Sequence, residues 1–290
     1  MNLLKIEMPP FTRTLWVSPK AKEVWEPRIR LAAQAYWSLE KETVKNGLRR
    51  CTTAHVSPDQ LPAYSLELAK QGLVFLPRLK VGSYNGFAHK HPPVEKGKPW
   101  NWYGPVANSI EAAKEFVEAE QAGNHRAIGD LLGYPKCCQE FFSTVWTAGY
   151  VDPIWQAAIN TNAVASSKTS EYSTIVYGPS LPLTWSGSRY NGLRIAAHIP
   201  CSYSCEKTRS GSARWVELGR TLRLPGLSEL IDLLNMPTSW DCLHGIAQIT
   251  TPIYRLVTNS TPCHPRYVVR KHGEFIPEYA AKGNQFPFVS

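Results

Sequence analysis

The chain has 290 residues, 43% of them hydrophobic and 19% charged, and a formal net charge of +9. These values are typical of a globular protein with one large domain or two ordinary ones. No run of eighteen apolar residues occurs and the first residues lack the apolar stretch of a signal peptide, so we expect neither a membrane span nor secretion. We therefore expect a cytoplasmic protein in which the seven cysteines are reduced.

The N-terminal part of the chain is predicted to be helical with a long loop. Amphipathic helices are expected over 20–45 and over 58–71, the second with Ser57 as its N-cap, and a short buried strand over 73–76. The segment 77–105 is rich in Gly, Pro and His, which favours a loop that serves as a linker or an active-site flap.

Three helical segments follow in the centre of the chain. They are predicted over 109–122, 125–132 and 136–146, and the last begins after Pro135, which suits the first position of a helix. The residues 150–190 are rich in Pro, Ser, Thr and Asn, and we expect them to be irregular.

Toward the C-terminus the pattern changes from helix to strand. A strand is predicted over 193–199, and helices over 212–220 and 228–235. Short apolar runs separated by turn residues then predict strands. These runs are 246–249, 254–257 and 267–269.

Together these elements predict an α+β fold. It is helix-rich in its N-terminal and central parts, with a small mixed or antiparallel sheet toward the C-terminus. We divide the chain into a helical N-terminal region with a Pro/Gly-rich loop, 1–105, and a cysteine-motif α+β domain, 106–290.

Four of the seven cysteines occur in two proline-led motifs, GYPKCC at 133–138 and HIPCSYSC at 198–205. Each motif lies where a helix is expected to begin, and a helix N-terminus stabilises thiolates. Four thiolates brought together bind zinc or an iron–sulfur cluster. We predict one such centre, with His198 as an additional or alternative ligand. Its cysteine ligands are Cys137, Cys138, Cys201 and Cys205.

The spacing of these cysteines leaves the identity of the metal open. Side chains of adjacent helical residues point about 100° apart, so a single ion is expected to take only one of Cys137 and Cys138, whereas two irons of a cluster can take both. The spacing differs from that of a zinc finger or ribbon and lacks the C-x3-C-x2-C run of a radical-type cluster. A redox-active dithiol and reduced packing cysteines are the alternatives.

The two motifs resemble blocks of an uncharacterised prokaryotic family, the domain of unknown function 483. LGYPKCCQEFF at 132–142 is similar to its GYP-x-CC-x-x-F block, and HIPCSYSC at 198–205 to its PCS-x-x-C block. The resemblance covers about 125–220 and implies that the four cysteines belong to one site. It implies no reaction.

Charged residues near the motifs are candidates for catalysis and substrate binding. Asp130, Glu140 and Glu206 are placed to act as general acid or base, or simply to complement helix dipoles. Basic residues around the second motif predict a cationic rim for a polyanion, although such residues are often only solvated. They are Arg189, Arg194, Lys207, Arg209, Arg214, Arg220 and Arg223, of which Arg189, Arg194, Arg209 and Arg214 are the predicted substrate-binding residues.

Two further groups are weaker candidates for metal ligands. His89 and His91 lie in the Pro/Gly-rich loop, where a solvated role is the simpler interpretation. Cysteines and histidines near the C-terminus have a spacing compatible with zinc. They are Cys242, His244, Cys263 and His264. Dinucleotide-binding, P-loop and nucleophile-elbow motifs are missing from the sequence, so it gives no support to those enzyme classes.

These observations predict a cytoplasmic metalloprotein with a four-cysteine zinc or iron–sulfur centre that modifies a nucleotide or nucleic-acid substrate. The net charge of +9 favours a nucleic acid or a phosphorylated small molecule as partner, although many cytoplasmic proteins are mildly basic. The alternative is a non-enzymatic binding module folded around zinc.

Overall fold

The computed structural model describes residues 4–6, 12–82, 91–147, 153–161, 166–168, 174–177, 181–243, 246–259, 267–269 and 285–286. Within these residues the chain forms helices and small sheets that pack against one another, and the predicted α+β class is confirmed.

The longest helix is α1, whose buried side chains recur every three or four residues and form one apolar face. Ser18 caps this helix, because its hydroxyl accepts a hydrogen bond from the Ala21 amide at 3.0 Å. The described α-helices are α1 Pro19–Lys45, α2 Leu61–Lys70, α3 Ile110–Gln121, α4 His125–Leu131, α5 Lys136–Phe141, α6 Pro153–Ile159, α7 Glu206–Thr221 and α8 Leu227–Leu234. A π-helical turn, Phe142–Trp146, continues α5.

The strands form three sheets within the described residues. They are β1 Leu4–Ile6, β2 Thr12–Trp16, β3 Cys51–Val56, β4 Val74–Phe75, β5 Leu79–Gly82, β6 Trp100–Ala107, β7 Ser166–Lys168, β8 Thr174–Tyr177, β9 Ser239–Leu243, β10 Ile246–Thr250, β11 Tyr254–Asn259, β12 Tyr267–Val269 and β13 Gln285–Phe286. A six-stranded antiparallel sheet has the order β2-β11-β10-β9-β8-β7, and a three-stranded sheet the order β1-β12-β13. In the four-stranded sheet, β3, β4 and β5 all pair antiparallel with β6.

The largest hydrophobic core lies between α1, α7 and α8 and the segment 181–203. Leu39, Trp185 and Tyr203 are fully buried in it. A second core joins the four-stranded sheet to α3 and α4, where Phe116 packs near Cys51. The first cysteine motif follows α4 and the second precedes α7, so both are attached to well-packed helices.

Most predicted helices are confirmed, with shifted boundaries. The helix predicted over 20–45 is α1, and those predicted over 109–122 and 228–235 are α3 and α8. The helix predicted over 58–71 begins three residues later, because 58–60 form a turn in which the Gln60 and Leu61 amides donate to the Ser57 carbonyl. Its N-cap is Gln60 and not the predicted Ser57.

The loop predicted over 77–105 is wrong in part, because it contains β5 and the start of β6. Gly104 and Pro105, residue types that indicate a loop in the sequence, lie within β6. A Cβ atom at Gly104 would lie 2.0 Å from the Leu76 carbonyl oxygen, so glycine is needed here for close approach of the backbones. β6 also runs through position 105, the predicted boundary between the two regions. The division into two regions stays a prediction.

The strand predicted over 193–199 is also wrong. The segment is buried but irregular, and a 3-10 turn, Gly187–Asn191, leads into it. Its apolar residues pack in the main core without joining a sheet, which a short apolar run alone does not reveal. The residues 150–190, predicted to be irregular, contain α6, β7, β8 and that turn, and α7 begins six residues before the predicted 212.

No helix in the described part of the chain is both long enough and apolar enough to cross a membrane.

Candidate metal centre

The first cysteine motif is positioned by a sharp turn at the end of α4. Gly133 has a φ of +71°, which favours glycine over every other residue. The Tyr134 amide donates to the Gly129 carbonyl at 2.8 Å and the Gly133 amide to the Asp130 carbonyl at 3.1 Å, the two bonds of a Schellman motif. Pro135 is the N-cap residue of α5, so that Cys137 and Cys138 lie in the first turn of this helix.

Side chains around this turn hold α5 against α4. Gln139 donates to the Asp130 carboxylate and to the Tyr134 carbonyl, each at 2.8 Å. Lys136 donates to the same carboxylate at 2.6 Å. The pKa of Asp130 is lowered by these bonds, from Lys136 first and then Gln139. Asp130, a predicted catalytic residue, therefore binds Lys136 and Gln139 and stabilises the turn between α4 and α5.

The second motif is anchored by Tyr203, which is fully buried. Its backbone amide donates to the Thr161 hydroxyl at 3.1 Å, and its carbonyl accepts a hydrogen bond from Thr184. Its own hydroxyl lies 2.8 Å from that of Ser186. These bonds tie the loop between Cys201 and Cys205 to the main core, so that the loop geometry does not depend on the cysteines alone.

The four predicted cysteine sulfurs converge. Cys137 Sγ lies 3.8 Å from Cys205 Sγ and 4.0 Å from Cys138 Sγ. The sulfurs of Cys138 and Cys205 lie 3.9 Å apart. Cys201 belongs to the same group, in which all sulfurs lie within 4.8 Å of one another. This group can hold a metal ion, as predicted.

The expectation that Cys137 and Cys138 diverge is wrong. Adjacent residues of a helix are about 100° apart around its axis, but rotation about χ1 moves a sulfur sideways without changing the backbone. The two sulfurs consequently lie only 4.0 Å apart. Adjacent cysteines at the start of a helix can therefore contribute to the same ion.

Hydrogen bonds to sulfur surround the cluster. The Cys201 amide donates to Cys138 Sγ at 3.4 Å. The buried Thr208 hydroxyl lies 3.4 Å from the sulfurs of both Cys138 and Cys205, and 3.0 Å from Nε2 of His198. His198, the predicted additional ligand, thus reaches the cluster through Thr208 and is not part of the group of four. Donors of this kind are typical of the outer shell of thiolate sites.

The cysteines of the cluster differ in how readily they lose their protons. Hydrogen bonds from Cys138 and then Cys201 lower the pKa of Cys205, whereas hydrogen bonding to Cys201 and Cys205 raises the pKa of Cys138. Four thiolates this close repel one another, so they can all be deprotonated only when positive charge is bound between them.

The other predicted acid–base residues lie at the protein surface. Glu140 is exposed, and Glu206 is 71% exposed and ion-paired with Arg209. Their catalytic roles stay predictions, and no contact of their carboxylates with the four sulfurs is recorded in the described part of the chain.

The predicted cationic rim is divided among three environments. Arg189 and Arg194 are buried and do not face the solvent around the second motif. Arg209 and Arg220 are exposed on α7 and paired with Glu206 and Glu217. The remaining basic residues are exposed, and no ion pair is recorded for them among the described residues. They are Lys207, Arg214 and Arg223.

Two cavities lie near the centre. A small one of about 230 Å³ is bordered by His198, Thr208, Lys207 and Arg214. A larger one of about 910 Å³ extends between α1 and the four-stranded sheet, and Arg189 and Arg194 line it. Tyr134 and Ala197 border both cavities, so the metal centre lies close to the wall that separates them.

Only some of the weaker candidates for metal ligands lie within the residues that the structure describes. His89, His244, Cys263 and His264 lie outside the described residues, and Cys242 lies in β9. His91 borders the larger cavity, where its ring lies 4.1 Å from that of Tyr103.

Sequence reasoning missed Thr208 and Tyr203, which hold the site together. Thr208 lies three residues after Cys205, and in a helix that begins at 206 this spacing directs its hydroxyl back toward the N-cap residue. That signal is visible only when the start of α7 is known.

No protein-family model, no curated protein and no solved structure matches this chain. The resemblance to the domain of unknown function 483 stays a prediction.

Proposed function

We propose that this chain is a zinc-stabilised metalloprotein in which Cys137, Cys138, Cys201 and Cys205 bind one Zn²⁺. The observation that supports this most is the spacing of the sulfurs. A tetrahedral site with Zn–S distances of about 2.3 Å has sulfur–sulfur edges of about 3.8 Å. The recorded separations are 3.8, 3.9 and 4.0 Å.

The same spacing argues against a four-iron cluster. In such a cluster each thiolate binds a different iron at the outside of an iron–sulfide core, so the cysteine sulfurs lie further apart than around one ion. Four sulfurs within 4.8 Å leave no room for that core. Iron bound as a single ion has the same geometry as zinc and is distinguished by metal analysis.

Four sulfurs complete a tetrahedral coordination sphere, which is typical of structural zinc. Such an ion has no open position for water or substrate, and it would join two motifs more than sixty residues apart in the chain. This favours the zinc-stabilised binding module over a reaction at the metal. If the chain modifies a nucleotide, the groups that react lie in a cavity beside the centre.

A polyanionic partner remains part of the proposal. The exposed side chains of Lys207, Arg214 and Arg223, which have no ion pair recorded in the described residues, support it. Three phosphate contacts would give a log–log salt slope of about −3 on duplex DNA. Binding that does not change with salt would point to an uncharged partner.

Metal content of single-cysteine variants tests the zinc site. We expect one zinc per chain in the wild type, and substoichiometric zinc in each of Cys137→Ser, Cys138→Ser, Cys201→Ser and Cys205→Ser. Cys51→Ala is the matched control, because Cys51 is buried far from the cluster in sequence and its thiol donates to the Ala112 carbonyl. Full zinc in all four serine variants would contradict the proposal.

A further inference from the structure

The small cavity beside the cysteine cluster has the features of a binding site for one charged group. It lies between α7, the turn of the first cysteine motif and the residues 196–198. Pockets for whole small molecules begin at about 300 Å³. The volume here is about 230 Å³, so the cavity suits one functional group of a ligand that extends beyond it.

Two basic residues of α7 border this cavity. Lys207 and Arg214 are seven residues apart, which is about two helical turns, so they lie on the same face of the helix. Both are exposed. Neither side chain has an ion pair or a hydrogen bond recorded in the part of the chain that the structure describes. Of the described residues that border the cavity, none is acidic, so its charge is positive.

Gly211 lies between these two residues on the same face of α7. It borders the cavity, and a Cβ atom added there would contact nothing within 4 Å in the described structure. Packing therefore does not require a glycine here, although glycine inside a helix is less favourable than alanine. A glycine at such a position allows a ligand to approach the helix closely.

Ser212 adds a buried hydroxyl group to the same wall. It is 5% exposed and borders the cavity. Among the described residues no hydrogen bond is recorded for this hydroxyl. The hydroxyl of Thr208, one turn earlier, is by contrast bonded to cluster sulfurs and to His198. Because buried hydroxyls normally have a partner, an acceptor inside the cavity would satisfy Ser212.

We propose that this cavity binds one phosphate group, which belongs to a nucleic-acid strand or to a phosphorylated small molecule. Lys207 and Arg214 supply charge-assisted hydrogen bonds to the phosphate oxygens, and the Ser212 hydroxyl donates a neutral one. The apolar rest of the wall, which includes Pro135 and Ala196, suits the organic part of the ligand. The inference rests on the polyanionic partner proposed above, for which it names a binding site, and it does not depend on the identity of the metal.

Titrations of the full chain test this inference. The probes are ribose 5-phosphate, the uncharged ribose and a labelled single strand of about twelve thymidine nucleotides. The sugars are titrated up to about 10 mM by calorimetry at constant ionic strength, and the strand by fluorescence anisotropy. We expect ribose 5-phosphate to bind and to compete with the strand, and ribose to do neither. Tighter binding of the strand would identify a nucleic acid as the source of the phosphate, and the reverse would identify a small molecule.

Variants of α7 separate the cavity from the general charge of the protein. Gly211→Leu fills the cavity without a change of charge, so we expect it to weaken binding of both phosphate-bearing probes at least about tenfold. Its melting temperature should not fall, since leucine is the better helix former. Lys207→Met and Arg214→Met should each weaken binding of ribose 5-phosphate about tenfold. Arg209→Met is the matched control, because Arg209 is exposed on the same helix and pairs with Glu206. It should leave this affinity unchanged.

Two results would overturn the proposal, and they differ in what they leave standing. If the strand binds the wild type and Gly211→Leu equally and ribose 5-phosphate does not compete, the polyanionic partner stands and the cavity is not its site. If neither phosphate-bearing probe binds the wild type, the cavity and the polyanionic partner fail together. Should Gly211→Leu not fold, Ser212→Ala replaces it in the comparison, with an expected loss of affinity of about threefold or more.

Discussion

At the scale of single residues, the four-cysteine cluster includes a hydroxyl beside its thiols. Thr208 lies within 3.4 Å of two cluster sulfurs and within 3.0 Å of His198 Nε2. A hydroxyl that donates to a thiolate lowers its negative charge and fixes its orientation. Thr208 therefore links the cysteines to the partly buried imidazole of His198.

Thr208→Val tests this link, since valine keeps the shape of threonine and removes the hydroxyl. We expect zinc affinity to fall about ten- to a hundredfold while the fold is kept. Competition with a chromophoric chelator measures the change. The control is Thr221→Val on the same helix, where an exposed hydroxyl donates to the Glu217 carbonyl. Equal zinc affinity in both variants would contradict a role for Thr208.

His198 makes stability depend on pH. Burial lowers its pKa from 6.5 to about 4, so it is neutral in the folded protein near pH 7. Below pH 6.5 the unfolded chain binds a proton that the folded chain does not, so stability is lost as the pH falls toward 4. The expected loss between pH 7 and pH 5 is about 1 to 2 kcal/mol.

Urea unfolding at the two pH values checks this expectation, with zinc content measured in each sample. His198→Gln keeps a nitrogen that can bond to Thr208 but does not titrate, so its stability should change less with pH. An equal loss in the variant would assign the effect to other groups.

The four cysteines could be predicted from the sequence, because soft ligands in two proline-led motifs have few other roles. The positions of Arg189 and Arg194 could not. Sequence clustering suggested an exposed rim, but the chain around them folds into the main core and buries both. Burial depends on which elements pack together, and adjacency along the chain does not determine it.

At the scale of elements, the larger cavity depends on the contact between α1 and the turn at Gly192. Alanine at this position would be strained twice, by the φ of +78° and by the Ala33 Cβ atom at 2.7 Å. We expect Gly192→Ala to reduce the free energy of unfolding by about 2 to 3 kcal/mol. Denaturant unfolding measures this change.

Gly211→Ala is the matched control. Gly211 lies inside α7, and a Cβ atom added there has nothing within 4 Å. The substitution should stabilise the protein by about 0.5 to 1 kcal/mol, since alanine is the better helix former. Stabilisation by both substitutions would contradict the packing of the turn against α1.

Helices with a clear apolar stripe could be predicted, and so could β10, β11 and β12, which are short apolar runs between turn residues, whereas β6 could not. The stripe of α1 is visible in the sequence because it recurs every three or four residues. The strand β6 contains a glycine and a proline, and its place in the sheet comes from pairing with β3, β4 and β5. Local composition carries no information on such long-range partners.

At the scale of the whole molecule, the cysteine cluster joins the four-stranded sheet and its helices to the main core. The first motif follows α4, which packs with α3 on that sheet, and the second precedes α7 in the main core. Zinc bound by both motifs would fix the wall between the two cavities. A cross-link of this kind stabilises mostly by limiting the freedom of the unfolded chain.

X-ray absorption spectroscopy at the zinc edge tests the central claim most directly. The account predicts a single zinc with four sulfur neighbours at about 2.3 Å and no nitrogen or oxygen in the first shell. A nitrogen or oxygen neighbour in place of one sulfur would contradict a closed four-cysteine site. Iron with iron neighbours, found in place of zinc, would contradict the single ion.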